Sequence, residues 1–152
     1  MSRIAIPSIE SATGATADIY ARVRKVRGAI PNLYAALGHL SPESLGAVLD
    51  AEAVLAAGSL GKKDLETIKL LVSERTGCDY CVAAHTTLGR MAGLQPDAVR
   101  SILAGQPTGD EKRDALVRFV LTLQTTQGTL PQQALDEIRA AGYTDSQLVE
   151  IS

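Results

Sequence analysis

Hydrophobic residues recur three or four positions apart along most of the chain, and no segment alternates between apolar and polar residues as a half-buried strand does. The first such stretch lies between Ala15 and Arg27, where isoleucine and valine mark one helical face. Proline, serine and aspartate precede several later stretches and glycines follow them, as is typical of helix boundaries. The sequence therefore predicts an all-α fold, with further helices at about 31–38, 42–57, 62–76, 78–92, 96–104, 110–126, 131–141 and from 144 onward.

Residues 1–14 differ from these stretches because they contain Pro7 and several serines without helical periodicity, and we predict an extended N-terminal segment there. The remaining residues, 15–152, are expected to form a single helical domain, since a chain of 152 residues can build one core of useful size. The sequence ends within the helix predicted to begin at Thr144 or Asp145, so this C-terminal helix is expected to be truncated.

Composition narrows the possible functions. A net charge of -2 and an aromatic content of 3% without tryptophan argue against nucleic-acid binding, which needs a basic surface or stacking side chains. No apolar stretch approaches the ~20 residues that span a bilayer, and the first residues lack the apolar region of a secretory signal. We therefore predict a cytoplasmic protein with neither a nucleic-acid nor a membrane partner.

The two cysteines lie three positions apart, at Cys78 and Cys81, and His85 follows them. A disulfide framework of a secreted protein needs more cysteines at wider spacing. In a reducing compartment, such a pair indicates a catalytic, redox-sensing or metal-binding site.

If a helix begins near Cys78, the side chains of Cys78, Cys81 and His85 lie on one face of it. The Cα atoms of the two cysteines are then roughly 5 Å apart, which permits a reversible disulfide. The unpaired amides and positive dipole of a helix N-terminus stabilise a thiolate, and a histidine can hold or transfer a proton near neutral pH. The charge of Asp79 opposes the thiolate, although its side chain is expected to point off this face.

The residues alone leave alternatives open. The cysteines could be two buried apolar side chains, or they could bind zinc together with His85 and Glu66. Glu66, an acid within a strongly apolar helix, fits a catalytic role and fits equally a place in the first helical turn, where it would complement the helix dipole. Tyr80 is expected to be a packing residue.

These residues resemble the core of the AhpD-like alkylhydroperoxidases, which belong to the carboxymuconolactone decarboxylase superfamily. The resemblance is carried by Glu66-x11-Cys78-x-x-Cys81-x-x-x-His85 and by the surrounding residues Leu-Val-Ser-Glu-Arg-Thr-Gly-Cys-Asp-Tyr-Cys-Val-Ala-Ala-His. Residues 28–37 resemble the preceding helix of the peroxidase-related members, and the resemblance covers most of the chain from about residue 15. It implies the single-domain AhpD-like helical fold with the Cys-x-x-Cys motif at a helix N-terminus.

The resemblance also implies a thiol-dependent peroxidase, peroxiredoxin-like and antioxidant in its activity, that reduces alkyl hydroperoxides. By analogy, Cys81 attacks the peroxide and becomes a sulfenic acid, and Cys78 then resolves it as a disulfide. His85 and Glu66 form the proton relay that activates the thiol. An external dithiol reduces the pair again, no metal or organic cofactor is required, and the protein is expected to assemble as a homo-oligomer.

Two features of the sequence differ from the family pattern. The best-studied type has a second histidine immediately before the second cysteine, where this chain has Tyr80. The family pattern also predicts a C-terminal helix after residue 151, which we expect to be missing here. The decarboxylase branch generally lacks paired cysteines, so lactone decarboxylation is not expected. The competing hypotheses are a thiol–disulfide oxidoreductase or redox sensor without peroxidase activity, and a non-enzymatic helical oligomer with a structural metal site.

Overall fold

The structure is a computed structural model in which residues 5–152 are described. All regular secondary structure in this range is helical, which confirms the predicted all-α fold. Ile9–Ser11 form a short 3-10 helix within the segment predicted to be extended, and residues 1–4 of that segment lie outside the described residues. The α-helices are α1 (Gly14–Arg27), α2 (Asn32–Leu40), α3 (Pro42–Ala56), α4 (Lys62–Arg75), α5 (Asp79–Met91), α6 (Pro96–Ala104), α7 (Glu111–Thr125), α8 (Gln132–Ala140) and α9 (Asp145–Ile151).

The chain forms two compact units, the first of which ends at Ala57 and contains α1, α2 and α3. Ser41 begins α3 as predicted, because its hydroxyl accepts a hydrogen bond from the backbone N–H of Ser44 and Pro42 occupies the first turn. The predicted domain boundaries stay a prediction. The core of this unit is formed by Val23, Tyr34, Leu45 and Leu49.

The second unit, Gly58–Ser152, is organised around α4, which packs against α5, α6 and α7. Leu70 and Leu71 on α4 are fully buried, and they belong to one continuous apolar cluster with side chains from the other helices of the unit. Because α4 packs against neighbouring helices on several sides, its inward-facing side chains are closely packed. Glu66 is one of these side chains, with 8% of its surface exposed.

Glu150 of α9 anchors the segment that leads into α4. Its carboxylate accepts hydrogen bonds from the backbone N–H groups of Ser59 and Leu60, each at 3.0 Å, and from the Ser59 hydroxyl. The hydrogen bonds from Ser59 hold the pKa of Glu150 below its ordinary value of 4.5. The stability that this anchor contributes is therefore present above pH 4.5 and is lost as the pH falls through the lowered pKa.

A tight turn at Gly77 joins α4 to α5 and places the first cysteine. Gly77 has a left-handed φ of 66°, which favours glycine. Its N–H donates to the carbonyl oxygen of Glu74 at 3.1 Å, and the N–H of Cys78 donates to that of Ser73 at 3.0 Å. These two bonds form the Schellman motif that ends many helices. The chain consequently reverses within two residues, and Cys78 becomes the N-cap of α5.

Gly89 allows α5 to approach α4 closely beside Glu66. A Cβ atom added at Gly89 would lie 3.1 Å from Cδ1 of Leu94, 3.5 Å from Cδ1 of Leu70 and 3.7 Å from Cβ of Glu66. An alanine requires only a small movement of the flexible end of Leu94, whereas a larger branched side chain must push the two helices apart.

We therefore expect Gly89→Val to lower the free energy of unfolding by about 1–3 kcal/mol, the usual cost of overpacking. Gly89→Ala is the matched control, and it should be neutral or stabilising because alanine favours the helix over glycine. Urea denaturation of both variants measures the difference. Equal stability of the valine and alanine variants would show that α5 does not need the close approach.

Candidate functional site

Cys78 and Cys81 lie at the N-terminus of α5 and are joined by a disulfide. Their Cα atoms are 5.2 Å apart, which confirms the separation predicted from helical spacing. Both side chains are partly exposed, so the alternative of two buried apolar cysteines is wrong. The N–H of Cys81 donates to Sγ of Cys78 at 3.3 Å. Cys78 thus accepts a backbone hydrogen bond through its sulfur, as N-cap side chains do. This position at a helix N-terminus favours negative charge on the sulfur.

The two residues between the cysteines both face solvent. Asp79 begins α5 and is exposed, and Tyr80 has 58% of its surface exposed. The prediction that Tyr80 is a packing residue is therefore wrong, because its ring is not buried in the core. The helical turn that brings the two sulfur atoms together turns the intervening side chains outward.

His85 and Glu66 form a direct contact across α5 and α4. His85 lies one helical turn beyond Cys81, and its Nδ1 atom is 2.9 Å from Oε2 of Glu66. Glu66 is the fifth residue of α4, and the acid in the first turn is Asp64. The alternative in which Glu66 serves the helix dipole is therefore wrong, and the structure brings Glu66 to His85 as the relay hypothesis requires.

The protonation of Glu66 determines what His85 can do. Burial raises the pKa of Glu66, but the hydrogen bond with His85 and the charge of Lys69 outweigh it and hold the pKa below the ordinary value of 4.5. A carboxylate can only accept, so the hydrogen between the two residues must lie on Nδ1 of His85. In the neutral ring, Nε2 is then the basic nitrogen that can take a proton from a thiol.

Lys69 is a member of this cluster that sequence reasoning missed. Its Nζ atom lies 3.4 Å from Oε1 of Glu66, the carboxylate oxygen that His85 does not contact. The signal was present in the sequence, since residues three apart on a helix are neighbours. This spacing indicates a functional contact only because Glu66 faces inward, which the sequence does not specify.

In residues 5–152, no group of three or more His, Cys, Asp or Glu side chains is placed so that it could hold a metal ion. None of the helices in the described range is both long and apolar enough to cross a bilayer.

The four residues of the site lie together in one segment that resembles a known protein family. Residues 42–107, which include Glu66, Cys78, Cys81 and His85, match the model of the carboxymuconolactone decarboxylase family. An alkyl hydroperoxide reductase of Mycobacterium tuberculosis is 34% identical over 99 residues, which are 62% of this chain and 27% of that protein. These matches support the resemblance to the AhpD-like/carboxymuconolactone decarboxylase superfamily that the sequence predicts. It spans about a quarter of the length of this curated relative, for which the matched share is 27%.

A solved structure shares the fold of this chain. It is the crystal structure titled alkylhydroperoxidase AhpD core, of an uncharacterized peroxidase-related protein from Ralstonia eutropha. The TM-score is 0.80 with 21% sequence identity, and the match covers 98% of this chain and 80% of that one. The predicted AhpD-like helical fold is therefore confirmed.

Proposed function

We propose that this AhpD-like chain is a thiol-dependent peroxidase that reduces alkyl hydroperoxides through the Cys78–Cys81 pair. The observation that carries the proposal is the 2.9 Å contact between His85 and Glu66, one helical turn from a redox-capable pair at a helix N-terminus. A base held in one tautomer next to a thiol is the arrangement that activates cysteine as a nucleophile. The similarity to an alkyl hydroperoxide reductase and to a peroxidase-related protein supports the same activity at the family level.

The chemistry begins with the reduced pair. His85 takes the proton of the Cys81 thiol, and the positive end of α5 stabilises the resulting thiolate. The thiolate attacks one peroxide oxygen, so that an S–O bond forms while the O–O bond breaks. The leaving alkoxide takes the proton held by His85 and departs as the alcohol, and Cys81 becomes a sulfenic acid.

Cys78 completes the cycle in this proposal. Its thiol attacks the sulfenic sulfur of Cys81, the disulfide forms and water leaves, so the pair has given two electrons to the peroxide. An external dithiol then supplies two electrons and two protons through a mixed disulfide and regenerates both thiols. None of these steps calls for a metal or an organic cofactor.

We also propose that the protein works as a cytoplasmic homo-oligomer. Several large apolar side chains are exposed in the single chain, among them Val54 at 72% and Met91 at 79%. Soluble proteins usually bury such surface against a partner when it forms patches. Sedimentation of the purified protein at micromolar concentration tests this part of the proposal, and a monomer would contradict it.

Turnover of pre-reduced protein with tert-butyl hydroperoxide and excess dithiothreitol tests the proposed activity. We expect peroxide loss and alcohol formation in equal amounts, at rates well above the uncatalysed reaction. The partly exposed disulfide also suits thiol–disulfide exchange. Rapid reduction of a disulfide substrate without peroxide consumption would favour that function instead, and stoichiometric zinc in protein purified without chelator would overturn both thiol functions.

A further inference from the structure

The carboxylate of Glu66 is held from both oxygens by different cationic or proton-donating groups. Oε2 lies 2.9 Å from Nδ1 of His85, and Oε1 lies 3.4 Å from Nζ of Lys69. The side chain of Glu66 is largely buried, whereas 48% of the side chain of Lys69 is exposed. The three groups thus form a chain that leads from solvent through a buried carboxylate to the histidine one helical turn beyond Cys81.

We propose that Lys69 is a positioning residue of the thiol site. Lys69 keeps Glu66 ionised and directs the other carboxylate oxygen of Glu66 to His85. The inference rests on the proposed function, in which the basic Nε2 atom of His85 takes the proton of the Cys81 thiol. Lys69 does not contact the cysteines in this proposal and acts only through Glu66.

The physical reason is the direction of one hydrogen bond. Buried carboxyl groups tend to take up a proton because burial disfavours the charged form. A protonated Glu66 would donate its O–H to Nδ1 of His85, and the ring hydrogen would then have to lie on Nε2. In that tautomer Nε2 cannot accept the proton of the Cys81 thiol. The charge of Lys69 opposes this inversion, because it stabilises the ionised carboxylate from the other side.

The surroundings of Glu66 make Lys69 the available source of this positive charge. The charged or titratable groups that act on the carboxylate are Lys69, on α4 itself, and His85, on α5. Among the described residues, the charged groups named as lowering the pKa of Glu66 thus come from α4 and α5, and none of them from α6 or α7, which also pack against α4. Loss of Lys69 therefore leaves burial opposed by His85 alone, through its hydrogen bond and its charge.

If Lys69 only stabilised the fold, its removal would change the stability and leave the proton equilibrium of Glu66 unchanged. An ion pair between residues three apart on a helix, with one partner half exposed, contributes little to stability. Removal of Lys69 should therefore leave the denaturation midpoint nearly unchanged. The proton equilibrium of Glu66 and the reactivity of Cys81 should change instead.

The test compares Lys69→Gln, Lys69→Arg and the control Lys62→Gln, which removes an exposed lysine from the start of the same helix. Nuclear magnetic resonance of carbon-13-labelled glutamate follows the titration of Glu66, and iodoacetamide alkylation of reduced protein follows Cys81 against pH. In Lys69→Gln we expect the Glu66 titration and the acid limb of alkylation to move up by roughly 0.5–1 pH unit. Lys69→Arg should restore both, and Lys62→Gln should change neither.

An unchanged Glu66 titration in Lys69→Gln, or equal shifts in Lys69→Gln and Lys62→Gln, would overturn the role of Lys69. Failure of the proposed function gives a separate result, because the glutamate titration does not depend on any peroxide. If that titration shifts as expected while the wild-type protein consumes no peroxide, Lys69 still controls the relay and the peroxidase assignment is wrong.

Discussion

Replacement of the Cys81 thiol by a hydroxyl should abolish peroxide consumption. We expect Cys81→Ser to lose at least about 10³-fold in kcat/KM for tert-butyl hydroperoxide, because a serine hydroxyl remains protonated where the thiol ionises. The change removes one sulfur atom at a partly exposed position, so the fold should survive. Stopped-flow measurement of peroxide loss, with circular dichroism as a check of folding, gives the result.

Cys78→Ser is the matched control, since it removes the other half of the same pair. This variant should still consume one equivalent of peroxide, because Cys81 can be oxidised once without its partner. The sulfenic acid then persists and can be labelled with dimedone, whereas turnover with dithiothreitol slows. If Cys81→Ser turned over normally and Cys78→Ser were inactive, the roles assigned to the two cysteines would be reversed.

Neutralisation of Glu66 should give the second large effect. Glu66→Gln keeps the size of the side chain and an oxygen that can accept from His85, but it removes the charge that favours protonation of the ring. We expect kcat/KM to fall by roughly 10- to 100-fold at neutral pH, within or just below the range of acid–base contributions. The rate of Cys81 alkylation should fall with it, since both depend on the thiolate.

Glu74→Gln is the control for charge on the same helix, because Glu74 is an exposed acid in the last turn of α4. It should leave both rates within about twofold, as surface charges have small effects. The lowered pKa of Glu66 adds a pH signature, since the carboxylate stays ionised at pH values somewhat below 4.5. The stability from this group is fully present above that value and is lost as the pH falls through the lowered pKa. Glu66→Gln and Glu74→Gln with equal rates would refute the relay.

The helices could be predicted closely from the sequence because local signals agree at most boundaries. The predicted helix at 96–104 begins at Pro96 in the structure, and its end at Ala104 is followed by Gly105 with a left-handed φ of 65°. Ser41 and Pro42 likewise begin α3 at the predicted position. Caps and turns depend on neighbouring residues, so they are visible in a single sequence.

The site could be predicted only in part, for a physical reason. The pairing of Cys78 with Cys81 follows from spacing within one helical turn, which is local. The contact of Glu66 with His85 depends on how α4 and α5 cross, and that crossing depends on the size of Gly89 and on the turn at Gly77. Helical periodicity alone left the role of Glu66 open, and only the resemblance to a family favoured the relay.

The solvent exposure of individual side chains also could not be predicted from the sequence. Tyr80 was expected to pack, yet the turn between the two cysteines directs it to solvent. The ion pair of Lys69 had the right helical spacing, but surface lysines are common, and its meaning depends on the burial of Glu66. Whether a polar residue on a helix faces the core is determined by packing with other helices, which spacing does not specify.

The proposed function requires that the Cys78–Cys81 pair gives its two electrons to a peroxide. The most direct measurement is a single turnover, in which fully reduced protein reacts with a limiting amount of tert-butyl hydroperoxide and is then digested for mass mapping. We expect one alcohol to form for each pair of thiols lost, with the two cysteines recovered as one intramolecular disulfide. Peroxide left unreacted, with both thiols still reduced, would contradict it.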